Sequence, residues 1–82
     1  MEVYVLRVIE IEEDAGTSVS IYLFHDKEDA RKQMSEVSQQ IQDYLAEYNV
    51  PLTISNYPDS CEIATTDKQY WGLLLIAKYS VK

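Results

Sequence analysis

Between Asp26 and Pro51 the chain carries a single apolar stripe at helical spacing. Ala30, Met34, Val37, Ile41, Tyr44, Leu45 and Tyr48 recur three and four residues apart, and the positions between them are polar. Asp26 is placed to cap the helix start, and Asp29, at the third helical position, makes a carboxylate variant of the capping box. Glu28 and Asp29 also suit the positive end of the helix dipole. Asn49 suits the helix end, and Pro51 prevents continuation. The spacing predicts a helix of about 22 residues, roughly 33 Å long. A one-sided helix cannot build a core alone, and the segments flanking it read as strands, so its partner is a sheet.

The first predicted strand, Val3 to Ile11, is rich in β-branched residues and is bounded by Glu12-Glu13-Asp14-Ala15-Gly16. Gly16 stands where a turn needs a permissive backbone. The second strand is Ser18 to Phe24. With Ala15-Gly16 as a two-residue loop, Val8 falls opposite Leu23 and Leu6 opposite His25, and a longer loop changes that register. After the helix, Leu52-Thr53-Ile54 has the character of a short strand, and Asn56 to Ser60 reads as a loop. Cys61 to Thr66 forms the third strand and Tyr70 to Val81 the last. The run Leu73-Leu74-Leu75-Ile76 marks that last strand as central and covered on both faces, beside the first. The expected fold is α+β: one domain over residues 1–82, a four-stranded, mainly antiparallel β-β-α-β-β sheet with the amphipathic helix on one face.

One helix leaves one sheet face open, and alternation should make that face polar. It does not. Arg7 and Lys78 favour the open side, which assigns Tyr4, Leu6, Val8, Ile21, Leu23, Leu73 and Leu75 to the helix side. Val3, Val5, Ile9, Tyr22, Phe24, Leu74 and Ile76 then form the open face. An apolar patch of that size marks an interface, with a homodimer as the expected use. Seven tyrosines point the same way, because Tyr is large, stiff and amphipathic.

The residues offer little for catalysis. One Cys and one His cannot supply a zinc site, and Cys61 reads as a small buried hydrophobe. His25 lacks a partner nucleophile, the acidic hairpin lacks calcium-loop spacing, and two glycines cannot make a phosphate loop. No enzyme activity and no cofactor are expected. The net charge of −7 disfavours direct binding to nucleic acid or an anionic membrane. No signal-peptide pattern is present, so a cytoplasmic location is expected. Acidic residues cluster at Glu10, Glu12, Glu13 and Asp14 on the first hairpin, a surface suited to a basic protein partner.

The run Phe24-His25-Asp26-Lys27-Glu28-Asp29-Ala30, between a hairpin and an amphipathic helix, together with the Tyr70-Trp71 start of the last strand, resembles small uncharacterised proteins of phages and mobile elements. Some small acidic proteins of that kind are anti-CRISPR-type inhibitors of bacterial defence. The expected function is a non-catalytic protein-binding module; the resemblance implies that it inhibits a host defence or nucleic-acid-handling protein, and it carries over no site residue. The alternatives are a small-ligand sensor with a dimer-interface pocket lined by Tyr22, Phe24 and Tyr70, and a structural subunit of a larger assembly.

Overall fold

The computed structural model describes residues 1–80, so Val81, the expected end of the last strand, and Lys82 lie outside the described residues. The elements run β1 (Glu2–Glu12), β2 (Gly16–Phe24), α1 (Lys27–Ala46), β3 (Leu52–Tyr57), β4 (Ser60–Thr65) and β5 (Tyr70–Ser80). They build one antiparallel sheet in the order β2-β1-β5-β4-β3 with α1 across one face. The α+β class and the central place of β5 beside β1 are as expected.

The sheet has five strands rather than four. Leu52 to Tyr57 forms the extra one, turning back through Pro58-Asp59 so that Tyr57 faces Ser60. Its polar Ser55 and Asn56 mimic a loop in composition. They are tolerated because β3 is an edge strand with one hydrogen-bonded neighbour.

The helix begins where its cap predicts. The Asp26 carboxylate accepts the Glu28 backbone N–H at 2.9 Å, with Asp26 itself extended at φ −120°. At the other end Asn49 adopts the left-handed φ of 56°, a conformation that Asn tolerates better than most residues. Ala30, Met34, Val37, Ile41 and Leu45 are buried against Leu6, Val8, Cys61, Ile63, Leu74 and Ile76. Tyr44 and Tyr48 leave the stripe and stay exposed.

The first hairpin sets which residues meet that core. Glu12 pairs with Gly16 across a three-residue loop, so Val8 lies opposite Ser20 and Leu6 opposite Tyr22. Gly16, at φ +82°, opens β2. Relative to the expected pairing β2 has moved by three residues, an odd shift that exchanges its two faces. Ile21 and Leu23, assigned to the helix side, therefore stand on the open face, and Tyr22 and Phe24 stand on the helix side. Phe24 packs at the rim of the core.

In β5 the same correction applies. Leu74 and Ile76 pair with Val8 and Leu6 and are buried in the core, while Leu73 and Leu75 are on the open face. Lys78 is no guide to the open side. It lies on the helix side at an exposed strand end, 2.9 Å from the Glu2 carboxylate. Of the residues predicted for the open face, Val3, Val5 and Ile9 are there, and Val5 is the buried apolar residue that stands outside the core cluster. No helix among the described residues is long and apolar enough to cross a membrane.

Candidate functional site

The most site-like feature is an open cleft of about 410 Å³ where the tip of the first hairpin, the end of α1 and the β4–β5 turn meet. Each wall follows from local chemistry. The hairpin tip is tied down by its backbone, with Ala15 N–H donating to the Glu12 carbonyl at 3.3 Å and Glu13 N–H to the Gln69 carbonyl at 3.0 Å. That second bond joins the β1–β2 hairpin to the β4–β5 turn, which brings Glu12, Glu13 and Asp14 beside Asp67 and Gln69.

The helix supplies the aromatic wall. Tyr44 and Tyr48, one helical turn apart, meet edge to face with ring centroids 5.4 Å apart and an interplanar angle of 71°. The two hydroxyls share a hydrogen bond at 3.2 Å in which either can be the donor, and the Tyr44 proton is held when Tyr44 donates. This contact, followed by the negative charge of Glu12, pushes the Tyr44 phenol up to about 12. The last turn of α1 contains no basic residue, so nothing within the helix neutralises its partial negative charge there. Leu45 and Val50 give the cleft an apolar component.

Tyr70 forms the base. Its ring is buried, its hydroxyl donates to Glu10 Oε1 at 2.8 Å, and its backbone N–H donates to Thr65 Oγ1 at 3.0 Å. Burial first, and the Glu10 carboxylate second, push the Tyr70 phenol well above its ordinary value of 10.0. The Asp67 carboxylate is held below its ordinary value, first by the Thr65 hydroxyl and then by the Gln69 backbone N–H at 3.1 Å. It therefore keeps its negative charge in this cleft somewhat below the ordinary 3.8.

Of the four acidic hairpin residues singled out from sequence, three line the cleft. Glu10 does not. Its carboxylate faces the helix side, receiving the Tyr70 hydroxyl and, at 3.5 Å, the Ser18 hydroxyl, so its role is to anchor Tyr70. Sequence reading missed Tyr44, Tyr48, Asp67 and Gln69 as cleft residues. The available signals were the Tyr44–Tyr48 spacing at the helix end and the loop composition of Asp67 to Gln69. The three aromatics proposed to line one pocket do not converge. Tyr70 pairs with Glu12 at one end of β1, whereas Tyr22 pairs with Leu6, six residues away and ~20 Å along the strand.

His25 is exposed between β2 and α1. Cys61 is buried, its sulfur 3.6 Å from the Ser38 hydroxyl. Among the described residues no group of three or more His, Cys, Asp or Glu side chains is arranged to hold a metal ion. The cleft thus brings together clustered carboxylates, phenol rings and a helix end of the same negative sign. No protein-family model, no curated protein and no solved structure matches this chain.

Proposed function

We propose that this chain is a non-catalytic protein-binding module whose acidic, tyrosine-lined cleft takes a basic segment of another protein. One observation carries the reading: the carboxylates of the hairpin tip and the phenols of the helix end, about 30 residues apart in sequence, share one cleft with Asp67. An Arg or Lys side chain entering it meets charge from Glu12, Glu13, Asp14 and Asp67 and the faces of Tyr44 and Tyr48. A cation over such a ring gains about 0.5–2 kcal/mol, depending on how far it is desolvated. The net charge of −7 adds long-range attraction that speeds encounter with a basic surface.

The most concrete form of the reading is an inhibitor of a nucleic-acid-handling or defence protein. Such proteins expose Lys and Arg for phosphate contacts, and an acidic cleft competes for those groups. The test is to neutralise the tip with Glu12→Gln, Glu13→Gln and Asp14→Asn together and measure affinity for an Arg-rich peptide at several salt concentrations. Weaker binding with a shallower salt dependence supports the reading. Unchanged affinity and salt dependence reject it.

A second reading is a sensor of a small organic cation. It is favoured by the cleft volume, which lies within the roughly 300–1,000 Å³ range of small-molecule sites. Saturable binding of a free amine at the same tyrosines, without peptide binding, would select it.

A further inference from the structure

The open sheet face is separate from the cleft, and no element among the described residues covers it. Val19, Ile21 and Leu23 of β2 are 57%, 60% and 68% exposed, and they continue across the sheet into Ile9, Leu73 and Leu75. Among the described residues the strands place only two charged side chains on this face, Arg7 on β1 and Glu62 on β4. A chain with 14 acidic residues has thus kept one face close to neutral.

We infer that a second copy of this chain covers the face, the two sheets packing as a β-sandwich about a two-fold axis along β5. Three observations favour a copy over another partner. The first is charge. Two molecules of net −7 repel over most orientations, and this face is where the excess of carboxylates is missing. The second is self-complementarity. Arg7 and Glu62 have opposite sign and lie on strands that flank β5 on either side, in adjacent cross-strand rows. A two-fold axis along β5 lays β1 of one copy over β4 of the other, so each Arg7 approaches the other copy's Glu62. The row offset of ~7 Å is within the reach of an Arg side chain, and an axis tilted about 15° from β5 gives the crossing of about 30° usual for packed sheets. In the single chain the Arg7 guanidinium lies two rows the other way, donating to the Tyr79 hydroxyl at 2.7 Å, so the pair forms only when Arg7 releases that exposed bond and swings toward the Leu73 row. The third is size. The molecule measures 45 × 21 × 16 Å, and its broad side matches the roughly 800 Å² per partner of a stable interface.

The test is solution mass by light scattering on the full chain, with three substitutions. Wild type should have twice the 9.5 kDa chain mass at micromolar concentration. Ile21→Glu should be monomeric with an unchanged far-UV spectrum, since Ile21 is outside the core. Arg7→Glu or Glu62→Arg alone should weaken the dimer by about tenfold or more, and the double reversal should restore it. Should Ile21→Glu fail to fold, a wild-type Tm that rises with protein concentration carries the same conclusion, and one that does not overturns it. A wild-type mass of one chain at all concentrations overturns the inference. So does a dimer that survives Ile21→Glu, which would move the contact to the uncharged edge of β2.

Discussion

Tyr70 lies over Gly72 so closely that a Cβ built on Gly72 would stand 2.6 Å from the Tyr70 hydroxyl and 3.1 Å from its ring. The two residues share the helix side of β5, and Gly72 pairs with Glu10 on β1. The missing side chain at Gly72 is what lets the ring lie along the strand and deliver its hydroxyl to Glu10. The base of the cleft depends on this gap.

Gly72→Ala should therefore displace Tyr70 rather than merely stiffen the strand. The ring is rigid and buried, so overpacking should destabilise the fold by about 1–3 kcal/mol. Thermal unfolding measures the loss. Tyr70→Phe, which keeps the ring and removes the bond to Glu10, should cost less than Gly72→Ala.

Adjacent leucines on β5 should respond differently to truncation. Leu74 is fully buried beneath the helix, so Leu74→Ala should lose about 2–5 kcal/mol. Leu75 is on the open face, and Leu75→Ala should change stability by about 0.5 kcal/mol or less when made in the monomeric Ile21→Glu background. Denaturant unfolding of the pair decides the face assignment, and a reversed order would refute it.

That assignment shows where the sequence runs out. The helix was legible because Asp26 and Pro51 bracket it and its apolar spacing is unambiguous. The central β5 was legible from the run Leu73 to Ile76. The faces of β2 and β5 were not, for two physical reasons. Both sides of these strands are apolar, so alternation carries no sign. The charged guides also misled, because Lys78 sits on the helix side at a strand end where water and Glu2 satisfy it. The turn hid the register of β2, since Gly16 begins the strand instead of lying within the loop. The cleft was half legible. Three of its carboxylates are contiguous in sequence, but Asp67 and the tyrosines arrive through the fold.

Alkaline titration should separate the tyrosines. Tyr44 and Tyr70 both have folded values raised above the ordinary 10.0, so they add stability that is complete below pH 10.0 and is lost as pH rises through their folded values. Phenolate absorbance should show components above the ordinary 10.0, with Tyr44 ionising near 12. Tyr70→Phe should remove the later component.

Acid acts at the opposite end of the molecule. Asp59, in the β3–β4 turn, meets Arg31 at 3.0 Å and Lys27 at 3.4 Å, joining that turn to the start of the helix. Burial alone would raise the Asp59 carboxyl. Hydrogen bonds from Arg31 and Lys27 outweigh it and hold the group below its ordinary 3.8. A depressed folded value gives stability that is present above 3.8 and lost as pH falls through the folded value. Acid unfolding should begin at higher pH when salt screens these exposed pairs, and Asp59→Asn should remove the salt sensitivity.

In the proposed function one cleft, and not acidity in general, binds a basic segment. Acidic side chains also stand at the helix start, where Glu28 and Asp29 are exposed, so the two possibilities predict different maps. The direct measurement is a two-dimensional amide NMR titration of the chain with a short peptide of alternating Arg and Gly. Shifts that saturate and concentrate at Glu12 to Asp14, Tyr44, Tyr48 and Asp67, and that vanish on neutralising the hairpin tip, are the predicted result. Shifts of equal size at Glu28 and Asp29 that do not saturate would contradict it.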